Sequence, residues 1–152
     1  MRFIVSTSTL LKHLQAVSGA LSNSAVLPIL ENFLFEIKDS SLTISATDLQ
    51  TSMTTNLAVE SKEGGKIAVP SKILLDTLKT LPEQPIAFSV DDKTFAIEIS
   101  AGDGKYRLSG ENGDDFPKIP VVDNASSVNL AASVLGEAIN KTLFADSNDD
   151  LR

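Results

Sequence analysis

Residues 66–82, KIAVPSKILLDTLKTLP, decide the fold because residues 2–19, RFIVSTSTLLKHLQAVSG, carry nearly the same pattern. One constant shift along the chain aligns Phe3 with Ile67 within a short apolar alternation, which is typical of a β-strand. Leucines then recur at the i, i+1, i+4 spacing of one helix face. The same shift superimposes three leucine pairs: Leu10 on Leu74, Leu11 on Leu75 and Leu14 on Leu78. The sequence therefore predicts a strand followed by an amphipathic helix, written twice.

A β-hairpin pattern follows each strand and helix. Residues 32–48, NFLFEIKDSSLTISATD, alternate apolar and polar positions on both sides of a turn at residues 38–41. Residues 85–100, PIAFSVDDKTFAIEIS, repeat this pattern around a turn at residues 91–93. A second constant shift aligns the two whole hairpins, with Phe33 on Ile86 in the first strand and Leu42 on Phe95 in the return strand.

A third strand then closes each copy of the pattern. It is MTTNLAVE in the first copy and KYRLSG in the second. The predicted order in each copy is strand, helix and three strands.

These patterns predict an α+β fold with two pseudo-symmetric β-α-β-β-β units. The two helices, expected at residues 7–18 and 71–80, should lie side by side on one face of antiparallel sheet, because each has an apolar stripe to bury. Ser6 or Thr7 can cap the first helix. Pro70 stands where the first turn of the second helix tolerates proline.

A third copy begins after the loop DDFPKIPVVDNAS. The segment VNLAASVLGEAINKTLF at 128–144 matches the second copy, with Val128 on Ile67 and Leu135 on Leu74. We therefore divide the chain into a first domain, residues 1–122, and a second part, residues 123–152, which holds a linker, a strand and a helix at 131–145. An amphipathic helix without a sheet of its own cannot bury its apolar stripe, so we expect the natural protein to continue.

The composition narrows the range of functions. The 152 residues include no cysteine, which excludes disulfides, a thiol nucleophile and cysteine-based metal sites. There is no apolar run of about 18 residues and no signal-peptide pattern, so we expect a cytoplasmic protein. The net charge of −7 argues against binding of nucleic acid over the whole surface, because phosphate binding depends on lysine and arginine. Any contact with nucleic acid should therefore be local.

Four short patterns could carry chemistry, but each fits a structural role better. His13, the one histidine, has no nucleophile partner nearby in sequence. The acidic run at 146–150, DSNDD, has the spacing of a calcium loop, but Leu151 stands where that loop needs glycine. The GDG at 102–104 lacks the third glycine of a dinucleotide site and suits a hairpin turn. Asp114 and Asp115 precede a Phe-Pro connection and could act as a carboxylate pair only in a cleft that nothing else in the sequence describes. We therefore expect no catalytic site, metal or cofactor.

The order of the motifs resembles the bacterial β sliding clamp, the processivity subunit of DNA polymerase III. The matching segments are LLKHLQAVSG, LPILENFLFEI, LTISATDL, VPSKILLDTLKTLP, GENGDDFPKIP and FADSNDDLR. The resemblance implies a DNA clamp fold and a homodimeric ring, in which each chain has three similar domains and helices line a hole for duplex DNA. The implied function is to tether the replicative polymerase for processive synthesis without catalysis. Polymerase and clamp loader would bind a peptide pocket between the second and third domains, outside this chain.

The resemblance also implies which residues contact DNA. Lys72 and Lys79 match cationic positions of a lining helix, and Lys12 and Gln15 are the polar candidates on the other helix. Ser24 stands where the family commonly has an arginine, so it offers a hydroxyl without a charge. The implied DNA-contacting positions are Lys72, Lys79, Ser24, Lys12, Gln15 and Arg152. Such contacts are to phosphate, so they should carry no base specificity.

The family closes its ring by pairing the first domain with the third domain of the other chain. The matching elements here are the second helix and the strand KYRLSG, which we expect to be an unpaired sheet edge. The implied interface residues are Ile73, Leu75, Thr77, Lys105, Tyr106, Arg107 and Leu108.

Two alternatives stay open from the sequence. One is a self-standing α+β protein-interaction module that does not bind DNA. The other is a hydrolase or transferase that uses an unrecognised carboxylate site around Asp48 or Asp115.

Overall fold

The computed structural model describes residues 1–21, 27–119 and 128–146. The chain divides into two units, Met1–Ile119 and Pro120–Arg152, and each is described by itself. Two predicted DNA-contacting positions, Ser24 and Arg152, lie outside the described residues.

The first unit forms two five-stranded antiparallel sheets. Its strands are β1 (Arg2–Ser6), β2 (Asn32–Lys38), β3 (Ser41–Thr47), β4 (Ser52–Ala58), β5 (Glu60–Glu63), β6 (Gly65–Pro70), β7 (Pro85–Val90), β8 (Ala96–Ala101), β9 (Gly104–Ser109) and β10 (Glu111–Asn112). Its α-helices are α1 (Thr7–Val17) and α2 (Ser71–Thr80). One sheet has the order β5-β1-β7-β8-β9 and the other has the order β10-β6-β2-β3-β4.

The two copies of the pattern exchange their first strands. Strand β1 pairs with β7 of the second copy, with Phe3 opposite Phe88. Strand β6 pairs with β2 of the first copy, with Ile67 opposite Phe35. The sequence aligns Phe3 with Ile67 and Phe35 with Phe88, so each of these pairs is the counterpart of the other and the predicted pseudo-symmetry is confirmed. The exchange means that neither copy completes its sheet alone.

The return strand of the second hairpin departs from the predicted alignment. That alignment places Leu42 on Phe95. In the structure Leu42 lies opposite Ile37, and the residue in the equivalent place, opposite Val90, is Ile97. The expectation that one constant shift aligns both strands of the hairpins was therefore wrong for β8.

A longer loop in the second hairpin explains this difference. The first turn is tight, because Asp39 and Ser40 both adopt the left-handed backbone conformation. The second turn is built around Asp91, whose carboxylate accepts the backbone N–H groups of Lys93 and Thr94. This wider turn displaces the return strand by two positions along the chain.

Each of the two helices connects a strand of one sheet to a strand of the other. Helix α1 leads from β1 in one sheet to β2 in the other, and α2 leads back from β6 to β7, so the helices lie against each other. Their apolar stripes pack into a shared core, in which Leu10, Leu14, Leu74 and Leu78 are fully buried. The predicted pair of amphipathic helices is thus confirmed. None of the described helices is long and apolar enough to cross a membrane.

Three phenylalanines link the two sheets at the centre of the core. Phe3 and Phe88 stack with ring centroids 4.7 Å apart. Phe35, from the other sheet, lies 6.3 Å from Phe3 and 6.2 Å from Phe88 in tilted geometry. Aromatic pairs at these separations add to the stabilisation that burial provides. All three side chains are almost completely inaccessible to solvent.

The junction between the copies requires glycine at two positions. A Cβ on Gly64 would lie 2.8 Å from the carbonyl oxygen of Ile37. Gly65 has φ of 155°, and its Cβ would lie 2.9 Å from the Cβ of Met1. Side chains would therefore clash with the end of β2 and with the first residue of the chain, which explains the Gly-Gly sequence found there.

The second unit contains helix α3 (Ala132–Thr142) among its described residues. No strand is assigned within 128–146, so the predicted opening strand of a third copy stays a prediction. The apolar stripe of α3 includes Val134, Leu135 and Ile139, each about half exposed.

We expect Phe35→Ala to lower the free energy of unfolding by about 3 to 5 kcal/mol, since it removes a buried ring that packs against aromatic rings of the other sheet. Unfolding should stay a single transition, because the strand exchange couples the sheets. Urea titration followed by circular dichroism would measure both properties. Ile4→Ala, at a side chain 42% exposed, is the control and should cost much less. Two separate transitions within the first unit of the wild-type chain would contradict the coupling.

Candidate nucleic-acid interface

Helix α2 presents two lysines on the side opposite its buried leucines. Lys72 and Lys79 are exposed, while Leu74 and Leu78 are buried on the other face. The helix begins directly after β6, and the Ser71 hydroxyl donates to the backbone carbonyl of the residue before β2. This bond ties the start of α2 to the neighbouring strand. The structure therefore places both predicted lysines together on one exposed helix surface.

A carboxylate that the sequence interpretation did not consider lies between these lysines. Asp76 Oδ1 is 3.6 Å from Lys79 Nζ, and both side chains are more than half exposed. The i, i+3 spacing brings the two groups together on the helix surface. Lys72 forms no ion pair with any other residue in the described part of the chain. The i, i+3 spacing of Asp76 and Lys79 in the sequence is sufficient to predict this pair.

Helix α1 contributes one lysine to its exposed face. Lys12 and Gln15, the candidates that the family resemblance implies on this helix, are both exposed. His13 is half-buried instead, and its Nδ1 lies 2.6 Å from the Thr55 hydroxyl on β4. This hydrogen bond joins α1 to the edge of a sheet and gives His13 a packing role.

The first turn of α1 is held by two capping groups. The Ser6 hydroxyl accepts the Thr9 N–H and donates to Glu83 Oε1 at 2.6 Å. Glu83 Oε2 accepts the Ser8 N–H at 2.9 Å. Hydrogen bonds from Ser6 and then Ser8 lower the pKa of Glu83, and the charge of Lys12 contributes least. Glu83 is far from α1 in sequence, so no local pattern could reveal this cap.

Strand β9 is the edge of its sheet, as predicted for KYRLSG. Lys105 and Arg107 are exposed on its outer face, and both bind Glu98 of β8, at 3.4 and 3.2 Å. The Arg107 hydrogen bond, followed by Lys105, lowers the pKa of Glu98. Leu108 is buried and Tyr106 packs partly against the core, so the predicted interface residues of this strand differ in their exposure.

The interface residues predicted on α2 differ in their surroundings. Ile73 is 55% exposed, which is unusual for isoleucine. Leu75 is partly buried against the core. The Thr77 hydroxyl donates to the Ile73 carbonyl at 2.8 Å. Ile73 is therefore the α2 position with the most apolar surface available to a partner.

Of the two carboxylates left open for catalysis, one makes structural hydrogen bonds and the other is exposed. Asp48 Oδ1 accepts the backbone N–H groups of Thr51 and Gln50, and these bonds lower the pKa of Asp48. Asp48 therefore builds its own turn. Asp115 is exposed in a short 3-10 turn. Its neighbour Asp114 lies 3.7 Å from a lysine of β6 as an exposed ion pair.

Metal ligation was the remaining chemical possibility. The described residues include no group of three or more histidine, aspartate or glutamate side chains placed to hold a metal ion. Asn148 and Asp150 of the acidic run lie outside the described residues.

Comparison with known proteins assigns the family. The family described as DNA polymerase III beta subunit, N-terminal domain, matches residues 1–120. The chain belongs to this family. Its residues 1–120 hold both sheets, both crossing helices and the lysine-bearing surface of α2.

Individual members of the family show how far the likeness extends. The chain is 33% identical over 153 residues to the beta sliding clamp of Vibrio cholerae, of which it covers 42%. It is 35% identical over 146 residues to that of Vibrio harveyi, covering all of that sequence. The crystal structure of the DNA polymerase III subunit beta from Pseudomonas aeruginosa matches with a TM-score of 0.90 and 30% identity, over 100% of this chain and 41% of that one. The chain thus spans about two fifths of the length of most of these relatives.

We expect Ser6→Ala to lower the free energy of unfolding by about 1 kcal/mol, because it removes the side-chain cap of α1.

Glu83→Gln should also destabilise the chain at neutral pH. The lowered pKa of Glu83 means that its contribution is complete above its unfolded pKa and is lost as pH falls through the folded value.

Urea titrations of the wild-type chain and Glu83→Gln between about pH 7 and pH 3 would test this cap. The difference in the free energy of unfolding between the two proteins should narrow as pH falls. Glu36→Gln removes an exposed carboxylate on β2 and is the matched control. A difference for Glu83→Gln that stays constant over this range would show that the capping bonds do not depend on its charge.

Proposed function

We propose that this chain is the N-terminal part of a ring-shaped sliding clamp that encircles duplex DNA and tethers the replicative polymerase. The observation that carries the proposal is the pair of adjacent helices whose buried faces share one core and whose exposed faces bear Lys12, Lys72 and Lys79. Membership of the beta subunit family supports it. Strand exchange fixes the two helices side by side, which is the arrangement that a lining surface needs.

The electrostatics suit a weak and mobile contact. Three lysines on the two helices could each neutralise phosphate charge, but the chain as a whole carries a net charge of −7. Charges separated by more than the Debye length, about 8 Å at cellular ionic strength, are largely screened from each other. The lysines can therefore attract phosphate locally while the rest of the surface does not bind it. Contacts of this kind do not distinguish bases and allow sliding.

A role without catalysis is part of the proposal. A groove beside β1 and β5, with a volume of about 530 Å³, is lined by one carboxylate, Glu60, and by cationic, hydroxyl and apolar side chains. General acid–base chemistry normally uses a pair of groups with different pKa values, and this lining offers no such pair among the described residues. His13 and Asp48 are engaged in structural hydrogen bonds. These observations disfavour the hydrolase or transferase alternative.

Ring closure would use the exposed edge of the first unit. We propose that β9 and Ile73 pair with the third domain of a second clamp chain. An edge strand presents unpaired backbone groups that a partner strand can satisfy. We also propose that residues 123–152 begin the second clamp domain, since the family match ends at residue 120. DNA polymerase III and the clamp loader are the proposed partners of the complete ring.

The chain should bind duplex DNA weakly, and the binding should fall as salt rises. We expect Lys72→Gln to weaken binding about two- to five-fold and to reduce the slope of log K against log salt by about 0.9, the value for one phosphate contact. Fluorescence anisotropy with a short labelled duplex of mixed sequence would measure both. Lys38→Gln, an exposed lysine on β2, is the matched control. Equal losses of DNA affinity for the two variants would argue against a lining surface on α2.

Encirclement itself needs the complete ring. A clamp that contains this chain and its remaining domains should stay on nicked circular DNA after loading and should leave when the circle is cut, because a topological link is lost at a free end. Gel filtration of the DNA with bound clamp, before and after cutting, would show this. Retention on the linear product would instead support a protein that simply binds DNA.

A further inference from the structure

Asp76 forms an ion pair with one of the two lysines on the proposed DNA-contacting surface of α2. Its carboxylate lies 3.6 Å from Lys79 Nζ, whereas Lys72 on the same surface has no ion pair within the described residues. From this geometry we infer that Asp76 is an internal competitor of DNA phosphate. It holds Lys79 when phosphate is absent and so limits the strength of the contact. This inference rests on the proposed function.

The preference of Asp76 for Lys79 over Lys72 has a physical reason. Acid-before-base order along a helix is the favourable orientation for a side-chain pair, and Asp76 precedes Lys79 but follows Lys72. The two lysines therefore have different roles on one surface. Lys72 is available to phosphate at once, whereas Lys79 must first release a carboxylate.

The exposure of the pair makes this competition reversible. The side chains of Asp76 and Lys79 are 65% and 54% exposed, and exposed ion pairs contribute little net stability. Phosphate can therefore displace the carboxylate, and the carboxylate can take Lys79 back when the duplex moves. Asp76 also lies within a Debye length of any phosphate bound by Lys79, so its charge repels that phosphate. Both effects weaken the contact without abolishing it.

Asp76→Asn tests the competition in the full chain. We expect it to bind the same labelled duplex about two- to five-fold more tightly at low salt, with a steeper salt dependence, because one further lysine meets phosphate. Asp39→Asn is the matched control, since it removes the same charge from an exposed turn between β2 and β3. Circular dichroism should show equal helix content in the two variants and the wild-type chain.

The double variant Asp76→Asn with Lys79→Gln shows whether Asp76 acts through Lys79 or repels DNA independently of it. If Asp76 acts by holding Lys79, the gain from Asp76→Asn should largely disappear when Lys79 is replaced. A gain that persists in full would overturn the inference, and so would equal effects of Asp76→Asn and Asp39→Asn. In both cases Lys72→Gln would still weaken binding, so the proposed function would stand. No binding by any of these proteins would overturn both.

Discussion

The exchange of first strands between the two copies constrains everything else in the first unit. Strands β1 and β6 each complete a sheet whose remaining long strands come from the other copy. The residues that follow these strands must then return to the opposite sheet, and a helix makes that crossing twice. The two helices consequently lie together over one core, and their outward faces form a single surface. A chain with two independent halves would have no reason to place them so.

The shared core turns this topology into a stable arrangement. Phe3 and Phe88 meet across one pair of strands, and Phe35 from the other sheet packs against both. Leucines from both helices enter the same cluster. Because every exposed position on α1 and α2 is set by the buried positions beside it, the location of the lysines follows from the packing of the leucines. The proposed DNA-contacting surface is thus a consequence of which residues the core requires.

Periodicity was enough to predict the positions of α1 and α2, the duplication and eight of the ten strands of the first unit, all except the short β5 and β10. The helices expected at 7–18 and 71–80 are found at Thr7–Val17 and Ser71–Thr80, and KYRLSG is an edge strand as predicted. Periodicity could not show the strand exchange, because a strand has the same pattern whichever hairpin it joins. It also missed the longer turn at Asp91, because alternation continues unchanged through an insertion of two residues. The candidate site was predictable to the extent that its residues share one helix, as Lys72 and Lys79 do. The cap of α1 by Glu83 was not, since it depends on the tertiary path that brings residues 6 and 83 together.

Part of the chain's negative charge has a structural role in turns. Asp48 and Asp91 each accept backbone N–H bonds in the turn that they begin, and these bonds lower both pKa values. These two carboxylates stand directly after the ends of β3 and β7. These turns thus place negative charge at the ends of two strands, while each exposed lysine of the two helices stands on a surface that leucine packing selects. The proposed local attraction for phosphate therefore needs only these lysines, although the chain as a whole is negatively charged.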